Sequence, residues 1–140
     1  MIRVTNIRNL DSTKQNQWAI VRSLKSKSPW MTQVAELSPS TGLFHKYLQL
    51  KERGEWNEKS FKDIYVPWFL RDMKEYGAPM LNRVWLMNKQ GIDIDMACFC
   101  TDETFCHRSV VAGLLQGAGC QVITDTGADY SQYFEMFKQL

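Results

Sequence analysis

Residues 94–119 read IDMACFCTDETFCHRSVVAGLLQGAG, and how this stretch is parsed decides the fold. Met96 to Phe99 is a short apolar run that passes through two cysteines into a polar turn, Thr101 to Thr104. Beyond the turn, Val110, Val111, Leu114 and Leu115 recur at helical spacing, with Gly117 and Gly119 as stop signals. The stretch is therefore a strand, a tight turn and a helix. In such a unit the turn lies at the carboxyl end of the strand, where open α/β sheets place their ligands and where the first helical amides attract anions.

Working outward, Cys120 to Thr124 reads as a short buried strand, and Tyr130 to Leu140 as a closing amphipathic helix carrying Tyr133, Phe134 and Phe137. Strand, helix, strand in this order forms a parallel βαβ unit with a right-handed crossover. Toward the amino terminus, Ile2–Thr5 and Gln17–Arg22 are β-prone, and the consecutive Ala19, Ile20 and Val21 mark the second as an inner strand buried on both faces. If it runs parallel to the strand at Ile94, Arg22 and Ser23 arrive at the same sheet edge as the cysteine turn. Residues 25–40, with Pro29, Pro39 and several serines, read as a loop. Thr41–Arg53 reads as a helix with Leu43, Phe44, Tyr47, Leu48 and Leu50 on one side and His45 on the surface. Asn57 caps the next helix, Trp56 can pack on Phe61, and the 3.6 period then holds to Tyr76, with a kink or division at Pro67. Pro79 begins a further helix that ends before Gly91. The expectation is one domain, residues 1–140, of three-layer α/β architecture with a mainly parallel sheet flanked by helices.

Composition agrees with a folded chain: 140 residues, 44% hydrophobic and 23% charged, are enough for one core without covalent staples. No run approaches the roughly 18 apolar residues of a membrane span, and the first ten residues carry charge where a secretion signal needs an apolar core. A cytoplasmic protein is expected, in which four cysteines serve as thiols, ligands or reactive groups. The net charge of +2 is uneven, because residues 1–30 hold Arg3, Arg8, Lys14, Arg22, Lys25 and Lys27 against Asp11 alone. A basic first quarter containing Trp18 and Trp30 fits a phosphate-rich partner, nucleic acid included.

Alternation along the strand sends Met96, Cys98 and Cys100 to one face. Cys106, His107 and Arg108 fall at the start of the helix, where amide dipoles lower a thiol pKa. His107 should face inward over the sheet and Arg108 should reach the mouth of the turn, making an anion pocket with a thiolate at its base. Three readings follow. Cys106 or Cys100 is a nucleophile assisted by His107, with Arg108, Arg22, Ser109 and Ser23 binding an anionic group of the ligand. Alternatively, Cys98, Cys100, Cys106 and His107 ligate zinc or another thiophilic metal, although the spacing is not a usual one for zinc, and no cofactor is otherwise indicated. In the third, the cysteines are small buried hydrophobes and His107 and Arg108 tie down the turn structurally. A phosphatase-type C-x5-R loop is excluded, since Thr104 and Cys106 stand six residues after Cys98 and Cys100.

ACFCTDETFCHRSVVAGLL resembles the signature of the domain of unknown function 488 family, whose members end a strand with a cysteine-containing segment and carry C-H-R at the next helix start. AIVRS resembles the family's early strand, and residues 37–73, LSPSTGLFHKYLQLKERGEWNEKSFKDIYVPWFLRDM, resemble the helical region of its phage-like branch. The resemblance implies a single α/β domain with functional positions at Cys106, His107, Arg108 and Arg22. Cys100 stands where many relatives have glutamate. No reaction comes with the resemblance. The functional expectation is a cysteine-dependent enzyme, or a diverged descendant, binding a small phosphorylated or nucleotide-like ligand. The competing expectation is a non-enzymatic module that binds nucleic acid or a host protein, with a metal as a stabilising element.

Overall fold

The computed structural model describes residues 1–26 and 28–140, so Lys27, one of the basic residues counted above and part of the expected loop, lies outside the described residues. Five strands form one parallel sheet: β1 (Ile2–Asn6), β2 (Gln17–Ala19), β3 (Met31–Gln33), β4 (Ile94–Cys98) and β5 (Val122–Thr124), in the order β3-β2-β4-β1-β5. β4 is central, pairing with β1 (Val4 opposite Met96, Asn6 opposite Cys98) and with β2 (Trp18 opposite Met96). The segment that follows β4 therefore emerges mid-sheet, between the ends of β1 and β2. The helix after it leads to β5, but β1 lies between β4 and β5.

The two faces of the sheet differ in chemistry. Ile2, Val4, Ile94, Met96 and Trp18 point into the buried core, against the helices α3 (Val66–Asp72) and α5 (His107–Gly117). Arg3, Gln17 and Asp95 share the other face, where the Asp95 carboxylate accepts from Gln17 at 2.8 Å and from Arg3 at 3.3 Å. This face is met by the short 3-10 turn Ile7–Asn9, which packs on β4. The result is a parallel sheet flanked by helices, and no helix among the described residues is long and apolar enough to cross a membrane.

Helix α1 (Thr41–Glu52) starts where Ser40 accepts from the Leu43 amide. Asn57 caps α2 (Glu58–Ser60) with a full capping box to Ser60, and Trp56 packs edge-on against Phe61 at 5.9 Å. Pro67 does not break the chain's helical course. Two π-helical segments, Phe61–Tyr65 and Met73–Gly77, run directly into α3 and into α4 (Ala78–Lys89), each of which carries its proline, Pro67 or Pro79, in its first turn. Widening the turn ahead of a proline relieves the clash with the preceding carbonyl and absorbs the missing donor.

The stretch 25–40 is not wholly a loop. It contributes β3 and a 3-10 turn, Ala35–Leu37, and Val34 donates to the Ala19 carbonyl at 2.8 Å. A three-residue edge strand carries too little periodicity to be seen in sequence, and only pairing with β2 makes it a strand. At the far side, α6 (Gln132–Lys138) lies so close to α5 that Gly117 faces the Phe134 ring base, and Gly119, with φ +91°, turns the chain into β5.

Candidate functional site

The parallel pairing of β2 with β4 places Val21 to Ser23 beside the cysteine turn, as the inference from sequence requires. Cys98, Cys100, Arg22, Ser23, Cys106 and His107 border one cavity of about 280 Å³ at this sheet edge. Phe44, Tyr47, Tyr65, Phe99 and Phe105 supply apolar wall. This explains why Phe44, expected on the buried stripe of α1, is partly exposed: its ring lines the cavity, with the Arg22 guanidinium 5.9 Å above it.

The sulfurs of Cys98, Cys100 and Cys106 lie within 4.8 Å of one another, the one such group among the described residues that could hold a metal ion. Cys98 Sγ and Cys106 Sγ are 3.0 Å apart, and all four cysteines are free thiols. Strand geometry brings Cys98 and Cys100 to this face, and Cys106, extended at φ −127° as the residue that caps α5, folds back over them. Its carbonyl accepts from Ser109 Oγ at 2.9 Å, so Ser109 serves the helix start and does not border the cavity.

His107 is buried. Its Nε2 lies 2.8 Å from the Ile20 carbonyl, which can only accept, so Nε2 carries the proton. Burial lowers the His107 pKa, leaving the ring neutral with Nδ1 as an acceptor, 3.6 Å from Cys106 Sγ. Cys106 Sγ therefore lies between this acceptor and the sulfurs of Cys98 and Cys100.

The charge in this cluster sits on Cys100. Hydrogen bonds from Cys106 and then Cys98 pull its pKa down to about 2. Cys98 is pushed up to about 12 by sharing its proton with Cys100, and burial raises Cys106. The helix start favours a thiolate at Cys106, but Cys106 is only 1% exposed, and desolvation of the anion outweighs the dipole there. The half-buried Cys100 keeps the negative charge at the cavity.

Arg108 takes a place that spacing does not reveal. Its side chain is 2% exposed, Nη1 is 3.4 Å from Asp125 Oδ2, Nε has no partner among the described residues, and the residue does not border the cavity. Arg22 borders the cavity, its guanidinium tied to the Pro39 carbonyl at 3.0 Å and Thr41 Oγ1 at 2.6 Å.

Two positioning residues escape a sequence reading. Asn6, at the end of β1, donates to the carbonyls of Phe99 at 3.3 Å and Cys100 at 3.0 Å and so fixes the turn that carries the thiols. Glu103, buried inside what reads as a polar turn, accepts from the Asp125 amide at 2.9 Å, from Tyr130 Oη at 2.7 Å and from Thr126 Oγ1. An asparagine at a strand end was the available signal for the first. Nothing local marks the second.

The family model described as the active DUF488-N3 subclade matches residues 5–119, a span that contains the whole site. No curated protein and no solved structure matches the chain.

Proposed function

The chain belongs to the domain of unknown function 488 family, and on that premise we propose that it is a cysteine-dependent enzyme acting on a small phosphorylated or nucleotide-like ligand. The supporting observation is the convergence of three sulfurs, within 4.8 Å of one another, on a cavity that Arg22 also borders. Such a cluster is costly to bury unless charge is useful there, and the word "active" in the matched description agrees with a catalytic role.

In this reading Cys100 is the nucleophile, Cys98 and Cys106 hold its thiolate, and Arg22 with Ser23 meets the anionic group of the ligand. A bond forms between Cys100 sulfur and the electrophilic centre as the bond to the leaving group breaks. The leaving group departs with the electron pair and takes the proton of Cys106. Water then displaces Cys100, and the proton of that water returns to Cys106, beside which His107 Nδ1 lies at 3.6 Å. Arg108 positions the turn from behind by way of Asp125.

The test is the rate of iodoacetamide modification at each cysteine at pH 6, followed by mass spectrometry. Cys100 should react at least tenfold faster than free cysteine, of which only about 0.3% is thiolate at that pH, and inorganic phosphate should slow the reaction in wild type but not in Arg22→Ala. A Cys100 no faster than free cysteine sinks the proposal.

The same convergence favours a second reading, in which the three thiolates hold a thiophilic ion. Elemental analysis of protein purified without chelator separates the two: about one equivalent of zinc per chain supports the metal reading, and none supports the free thiolate.

A further inference from the structure

A second hollow adjoins the thiol cavity, and nothing described above uses it. It encloses about 670 Å³, within the usual range of ligand sites, and is bordered by Arg8, Lys25, Trp30 and Phe99 over a floor that includes Leu24 and Met31. Ser23 and Phe99 border both hollows, so the two are neighbours. Phe99 stands between Cys98 and Cys100 in the chain. At 57% exposed it is the most exposed large hydrophobic side chain among the described residues, and Trp30 opposite is 36% exposed.

The chemistry of this wall is selective. Among the described residues, two cations and no carboxylate border it, and neither cation is in an ion pair. Exposed aromatic faces beside unpaired cations are what a nucleobase and its phosphate need: the base stacks on the ring and the phosphate meets the cation. An acidic peptide would use the cations and leave the rings in water.

We infer that the Arg8–Lys25–Trp30–Phe99 hollow is a nucleotide subsite, in which a base stacks on Phe99 while the reacting part of the same ligand reaches Cys100. The ligand is a nucleotide, free or within a single strand. The inference rests on the proposed thiolate chemistry only for what is done to the nucleotide, not for its binding.

The experiment is fluorescence polarisation of a 5′-fluorescein dodecadeoxythymidylate probe over a salt series, with adenosine monophosphate and hexaglutamate as competitors. Phe99→Ala should weaken binding fivefold or more. Arg8→Ala with Lys25→Ala should lower the salt slope by about 1.4, the value for two phosphate contacts to a single strand. Competition by adenosine monophosphate assigns the site to free nucleotides, and strand binding without such competition assigns it to a single strand. Absence of probe binding, an unchanged affinity in Phe99→Ala, or equal competition by hexaglutamate overturns the subsite. If wild type binds the probe while its Cys100 alkylates no faster than free cysteine, the subsite stands and the proposed chemistry falls.

Discussion

His107 Nε2 donates to the Ile20 carbonyl across 2.8 Å, joining the first turn of α5 to the end of β2, 87 residues away in the chain. This contact does two things at once. It draws Arg22, two residues beyond Ile20, to the rim of the thiol cavity, and it fixes the imidazole tautomer so that Nδ1 is left to face Cys106. His107→Phe keeps the ring volume and its packing on Phe69 but leaves the Ile20 carbonyl without a donor. The expected loss is about 1–3 kcal/mol of stability, read from urea denaturation. A variant as stable as wild type would show that the bond is not needed to hold α5 on β2.

Thiol reactivity should divide by position. With Cys100 held near 2 and Cys98 near 12, iodoacetamide should modify Cys100 at a rate nearly flat from pH 5 to pH 8, while Cys98 and Cys106 stay unmodified. Modification of Cys106 first, or a Cys100 rate that climbs with an ordinary thiol titration, would place the charge elsewhere.

The same cluster links folding to pH, and the signs oppose. The Cys100 pKa is lower in the folded chain than the ordinary 9, so its contribution is absent below about pH 2, grows as pH rises and is complete above 9. The Cys98 pKa is higher when folded, so its contribution is complete below 9 and is lost as pH rises toward 12. The contribution of the cluster should therefore peak near pH 9. Denaturation of wild type and of a Cys98→Ala/Cys100→Ala variant between pH 6 and pH 10.5 checks this: their difference should widen up to about 9 and narrow beyond it.

Glu103 is 3% exposed and accepts three hydrogen bonds that tie the cysteine turn to the segment after β5. Glu103→Gln replaces one acceptor oxygen by a donor that faces a donor. About 2 kcal/mol should be lost, in line with hydrogen bonds to a charged group. Tyr130→Phe, which removes one of the three donors, should cost about half as much. Equal stability of Glu103→Gln and wild type would remove the carboxylate from its structural role.

Gly113 lies where α5 meets the chain leading into α6. A Cβ there would sit 2.1 Å from the Tyr130 carbonyl oxygen, and backbone cannot yield as a side chain can. Gly113→Ala should cost at least 3 kcal/mol, in the range of core overpacking or above it, and should lower the thermal midpoint by ten degrees or more. Gly54→Ala is not a fair control, because Gly54 has φ +67°. Ala112→Gly, one residue away in the same helix, is the better comparison and should cost about 2 kcal/mol, the propensity difference plus the loss of a buried methyl group.

Much of the fold was legible because it is written in local patterns. The alternation of Met96, Cys98 and Cys100, the helical spacing of Val110 to Leu115, the Asn57 cap and the glycine stops each specify their element with little help from distant residues, and together they imply a parallel α/β sheet. The thiol cluster was legible for the same reason, since a strand end and a helix start separated by a short turn must lie close together. What spacing could not decide were the outcomes of pairing and burial. β3 is a strand only because β2 is beside it, and the π-helical segments appear only where a proline must be carried through a packed helix. The thiolate belongs to Cys100 and not to Cys106 because desolvation, which no linear pattern records, exceeds the pull of the helix dipole. Arg108 turns to Asp125, and Arg22 takes the rim, because side chains follow the electrostatics of neighbours that only the folded chain brings together.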